Sequence, residues 1–110
     1  MESIRLTALA EELIAEAREH SSGRTARTVH GGHEHALRQT VIALAGGHQL
    51  GEHESPGEAT IQVLAGRVRL VADEQKWEGA AGDFLIIPPA RHDLEALDDS
   101  AVLLTVVIAR

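Results

Sequence analysis

Apolar positions recur at helical spacing in one place only, between residues 4 and 19; after residue 24 they alternate or run in short blocks. In "IRLTALAEELIAEARE", Leu6, Leu9, Ala10, Leu13 and Ala17 fall on one face of an α-helix. Ser3 is the candidate N-cap, and Glu2 sits favourably near the positive end of the helix dipole. The face holds few large side chains, so the helix is marginal alone and needs a body or a partner to pack on. "HSSGR", 20–24, reads as a loop. The chain therefore divides into an N-terminal helix and linker, 1–23, and a β-domain, 24–110.

Short strands with regular punctuation fill the second part. "RTARTV" is followed by the loop "HGGHEH" and by the β-branched, mostly apolar "ALRQTVIALA". After the turn-rich "GGHQLGEHESPGE", the segments "ATIQVLA" and "RVRLVAD" flank Gly66 and read as a hairpin. "KWEGAAGD" reads as a further turn before "FLIIPPARHDLEAL", and "DDS" turns into "AVLLTVVIA". Strands with turns every 8–12 residues or so predict a sandwich or closed barrel rather than a βαβ fold. In "RVRLV", Arg67 and Arg69 face one way while Val68 and Leu70 face the other. Strand 101–108 is apolar on both faces, so both are expected to be covered, one by the core and one by the helix or a second subunit.

Composition narrows the function classes. A chain of 110 residues makes one domain that buries roughly two-thirds of its unfolded surface. Trp77 and Phe84 are the whole aromatic supply, so aliphatic residues must build the core. The absence of cysteine excludes disulfides, thiolate metal sites and thiol nucleophiles. A formal net charge of −7 argues against nucleic-acid binding, which needs a basic stripe. No apolar run is long enough for a membrane span, and the N-terminus lacks a signal-peptide pattern, so a cytoplasmic location is expected.

Residues 47–66 and 82–92 resemble the two motifs of the cupin family, and the likeness extends over about residues 36–108. The family's first motif is Gly, five residues, His-x-His, three or four residues, Glu, six residues, Gly. Here Gly47 is followed by five residues, His53-x-Ser55, three residues, Ala59, six residues and Gly66. The second motif is Gly, five residues, Pro-x-Gly, two residues, His. Here Gly82 precedes five residues, Pro88-Pro89-Ala90 and Arg91-His92, with the histidine one position early. The resemblance implies an all-β fold, a cupin double-stranded β-helix (jelly-roll barrel), with one N-terminal α-helix added.

A metal-binding cupin offers three histidines and one glutamate to a divalent ion. His53 matches the first ligand and His92 the last, but Ser55 stands where the second histidine belongs and Ala59 where the glutamate belongs. Strand alternation puts Ser55 on the face of His53 and turns Glu54 and Glu58 away. Two imidazoles hold a metal weakly, because closed sites use about four protein ligands and catalytic ones about three. The motif thus implies at most a weakly bound divalent transition metal on His53 and His92, with His48 and His35 as weaker candidate donors. The remaining histidines, His20, His30 and His33, lie in loop-like stretches. The expected ligand pocket is His53, Ser55 and His92 at one barrel end, where two imidazoles would carry a charge that changes near neutral pH.

Trp77 is expected in the core, Gln62 on an outer face, and Arg91 in an ion pair with Asp93, Glu95 or Asp98. The resemblance leaves three readings open: a stand-alone cupin binding a small molecule or ion inside the barrel; a divalent-metal enzyme of oxygenase or isomerase type acting on a small oxygen-bearing substrate; and a structural dimer without catalysis. A homodimer is expected in each, with no nucleic-acid or membrane partner.

Overall fold

The computed structural model describes residues 1–54 and 57–108. Helix α1 (Leu6–Glu19) precedes eight strands: β1 (Arg24–His30), β2 (Leu37–Leu44), β3 (Gly57–Ala65), β4 (Arg67–Ala72), β5 (Gln75–Ala80), β6 (Phe84–Ile86), β7 (His92–Ala96) and β8 (Ser100–Ile108). They form two antiparallel sheets, β1-β2-β8-β3-β6 and β5-β4-β7. Segment 47–53 extends the smaller sheet beyond β7 through bridges Gln49–Glu95 and His53–His92. The sheets face each other across an aliphatic core that includes Ile42, Leu44, Ile61, Val63, Val68, Leu70, Leu94 and Val102.

Gly66 is where the chain changes sheet. β3 and β4 are adjacent in sequence but belong to different sheets, so the expected hairpin around Gly66 is a corner instead. The residue has φ 78°, and a Cβ there would lie 2.2 Å from the Asp99 carbonyl oxygen. Only glycine lets the 99–100 backbone approach so closely without strain. The hairpin partner of β4 is β5, in full register from Arg67–Ala80 to Ala72–Gln75. The stretch expected to turn at 76–83 is therefore mostly strand. Its apolar alternation is weak because one inward position is Gly79, and the real turn is Asp73-Glu74, with Asp73 at φ 54°.

Helix α1 packs on the outer face of the larger sheet. Leu9, Ala10, Leu13 and Ala17 are buried against Val41, Ala43 and Ala101, small residues on both sides that let helix and sheet approach closely. Arg27 pairs with Glu12 at 3.2 Å and Glu16 at 3.6 Å, and Arg18 with Asp99 at 3.5 Å. These pairs are exposed and contribute at most about 1 kcal/mol each; apolar burial is what seats the helix. The expected Ser3 cap does not form: Arg5 occupies the N-cap position and no side chain caps the helix. The helix covers one face of β8 at Ala101 and Leu103, but farther along Val107 stays exposed, as do Phe84 and Ile86 on β6. Among the described residues no helix is long and apolar enough to cross a membrane.

Candidate functional site

Cross-strand register assembles the site. On the inner face of the smaller sheet, Gln75, Ala72, His92 and His53 form one row, because Ala72 pairs with both Gln75 and His92, and His92 with His53. The next row is Trp77, Leu70 and Leu94. His92 shares its inward parity with Leu94 and Ala96, all three buried, so alternation along β7 aims it inward although its motif spacing is one residue short.

The His53 and His92 backbones exchange two hydrogen bonds, 2.9 Å and 3.0 Å. Their rings meet edge to face with centroids 4.4 Å apart. His53 Nδ1–H donates to the Gly51 carbonyl at 2.9 Å and His92 Nδ1–H to the Ala90 carbonyl at 2.8 Å. A carbonyl can only accept, so each neutral ring carries its proton on Nδ1 and keeps its lone pair on Nε2. Neither Nε2 meets a partner among the described residues, and no buried side-chain nitrogen or oxygen among them is left unpaired.

Behind the rings lies a cavity of about 20 Å³, lined by aliphatic residues such as Leu50, Ile61, Leu70 and Leu104. That is room for one water-sized object. An organic ligand inside the barrel would need side chains to move. Larger space opens outside it: a groove of about 440 Å³ between β5 and β6, walled by Leu70, Trp77, Leu85, Ile86 and Pro88. Leu70 lines both spaces.

The candidate donors sort cleanly. His53 and His92 come together. Ser55 lies outside the described residues. Ala59 is 6% exposed within the core cluster, and Glu58 is exposed on the opposite face. His48 does not join the pair; its ring packs on Gly23, where a Cβ would come within 2.2 Å of it. His35 is drawn to the β1–β2 loop, where its Nδ1–H donates to Gly31 O at 3.0 Å and its ring lies 4.6 Å from that of His30. No group of three or more His, Asp or Glu able to hold a metal occurs among the described residues. The donor set present does not fit the four-ligand centre of metal-binding cupins.

Arg91 approaches Glu52 at 3.9 Å rather than its expected partners; Glu95 pairs with Arg69 and Asp98 with Arg67. Gln62 is exposed on the outer face, as its parity requires. Trp77 packs against the core only partly buried and forms a groove wall. The turn expected over residues 76–83 conceals this wall in the sequence; the alternation of Gln75, Trp77 and Gly79 is the signal for it.

A family model described as cupin domain matches residues 40–108. The chain belongs to the cupin family. Among solved structures, it is similar to a conserved protein of unknown function from Streptococcus pyogenes, at 28% identity over 83% of this chain and 79% of that one, with a TM-score of 0.73. An RmlC-like cupin from Desulfovibrio desulfuricans matches at 22% identity over 97% and 91%, TM-score 0.69. A cupin 2 conserved barrel domain protein from Salinispora arenicola matches at 21% over 78% and 77%, TM-score 0.62. These last two carry the fold alone. A comparison with curated proteins yields no match.

Proposed function

We propose that this cupin is a small-molecule-binding protein whose polar recognition element is the His53–His92 pair, and that it acts as a homodimer. The observation that carries the reading is the commitment of both Nδ1 protons to backbone carbonyls, which fixes the lone pair of each ring on Nε2 while both rings line the small apolar cavity. Such a pair accepts hydrogen bonds from a ligand hydroxyl or amine, or takes a divalent ion weakly and completes its shell with water. The metal-enzyme reading has less support, because the glutamate and second histidine positions of the motif carry Ala59 and Ser55.

Metal content of untagged protein and histidine ring NMR test this together. The expected result is substoichiometric metal, and His53 and His92 ring signals that move on titration with small hydroxylated and amine ligands and do not respond in His53→Ala or His92→Ala. A full equivalent of tightly held metal, lost in both variants, would overturn the reading in favour of a metal centre.

A further inference from the structure

The groove between β5 and β6 marks where the barrel is not sealed: β5 edges the smaller sheet, β6 edges the larger one, and the two are not hydrogen-bonded to each other. Its volume of about 440 Å³ is in the usual range of small-ligand sites, whereas the cavity behind the histidines holds only about 20 Å³. Trp77 is laid down firmly in it. A Cβ on Gly79 would come within 2.2 Å of the indole, so the ring lies across the glycine. Leu70, Ala72, Leu85, Ile86 and Pro88 complete an apolar lining, with Gln75 and Lys76 at the rim.

Charge singles this groove out. The chain carries 17 acidic residues against 10 basic ones. Three other open depressions on the surface include carboxylates: Glu2 in one, Glu54 and Glu58 beside Arg91 in another, and Glu52, Asp73, Asp93 and Glu95 around Arg91 in a third. The lining of the β5–β6 groove has none. It has Lys76, the only lysine in the chain, which makes no ion pair or hydrogen bond among the described residues; strand parity puts it on the face of β5 opposite Trp77, beside Glu78, so its stem meets the groove around the open sheet edge. A lysine stem can lie along an apolar wall while its ammonium stays at the water boundary. We infer that the groove binds a small apolar monoanion, a carboxylate with a hydrocarbon body, its body against Trp77 and its charged end at Lys76. The inference rests on the reading of the chain as a small-molecule binder and names a ligand class for it; Leu70 and the row Gln75–Ala72–His92–His53 connect the groove to the histidine pair.

Burial of the body supplies most of the affinity and Lys76 supplies selection, since an exposed charge pair changes affinity by roughly threefold to fivefold. Trp77 is the only tryptophan, so its emission reports the groove directly. Octanoate, octanol and octylamine are titrated at pH 7.5 and low salt. The expected result is a saturable change with octanoate binding roughly threefold to fivefold more tightly than octanol and octylamine weakest. Lys76→Met should remove the advantage of octanoate and leave octanol unchanged. Octylamine binding as well as octanoate, an unaltered order in Lys76→Met, or no saturable change at Trp77 overturns the inference. Histidine ring signals separate it from the wider reading. Octanoate binding at Trp77 with unmoved His53 and His92 signals supports the groove and removes the pair. Ring signals that respond to other ligands while Trp77 emission stays fixed for all three probes support the pair and overturn the groove.

Discussion

A neutral imidazole has one proton to place, and in both His53 and His92 the carbonyl two residues earlier fixes it on Nδ1. Nitrogen-15 NMR at a pH where both rings are neutral should therefore show two Nδ1–H tautomers, against the Nε2–H preference of free imidazole side chains. An Nε2–H signal for either ring would remove the fixed acceptor on which the binding reading depends. The pairing of these two residues was legible in the sequence, though not their tautomers: the first motif's spacing from Gly47 gave His53, and the second motif's from Gly82 gave His92, one position early. What was not legible was the fate of the other donors. His48 is five residues from His53, yet the turn at Ala45–His48 sends its ring onto Gly23. Nothing in local spacing encodes that contact, because Gly23 belongs to the linker before β1.

Between elements, the informative residue is again a glycine. The pattern around Gly66 specifies two strands and a reversal, and the same pattern serves a hairpin or a change of sheet; only long-range packing decides. Here the decision is made by the 97–100 segment, where Leu97 N–H and Ser100 Oγ–H both donate to the Arg67 carbonyl at 2.9 Å. That geometry predicts unequal costs for two substitutions with similar backbone strain. Gly66→Ala and Gly82→Ala both force alanine to positive φ, 78° and 94°, but a Cβ at Gly82 meets nothing within 4 Å. Gly82→Ala should cost about 1–2 kcal/mol, the left-handed backbone term. Gly66→Ala should cost more, with displacement of the Asp99 backbone added, and chemical denaturation resolves the difference. Equal losses would reject the corner packing. For α1, Leu13→Ala should destabilise by about 2–5 kcal/mol, because Leu13 is 1% exposed in the helix–sheet cluster. The helix itself was legible from its periodicity, whereas β5 was hidden because Gly79 makes room for an indole rather than filling an apolar position.

At the scale of the whole molecule, one surface remains without cover. Beyond the helix, the outer face carries Gln62 and Phe84 in one cross-strand row and Thr105, Thr60 and Ile86 in the next. Phe84 is 60% exposed and Ile86 72%. These five positions hold no charge, although charged residues make up 25% of the chain; the next outward position on β3 is the exposed Glu58. Two copies each at −7 repel on close approach unless they meet across an uncharged face. An uncharged strip with two exposed apolar side chains on a strongly acidic protein suits a second copy of itself, meeting through a twofold axis with the same strands on both sides. We propose this strip, rather than the helix, which already packs on its own sheet, as the interface of the expected homodimer. Light scattering at low micromolar concentration should give twice the 11.8 kDa chain mass. The double substitution Phe84→Glu with Ile86→Glu should give the single-chain mass with the circular dichroism of the parent, since neither side chain is part of the core. A dimer that survives this double substitution would place the interface elsewhere, and a parent that is monomeric at every concentration tested would reject the interface and leave Ile86 as a groove wall and Phe84 as an exposed side chain of a single barrel.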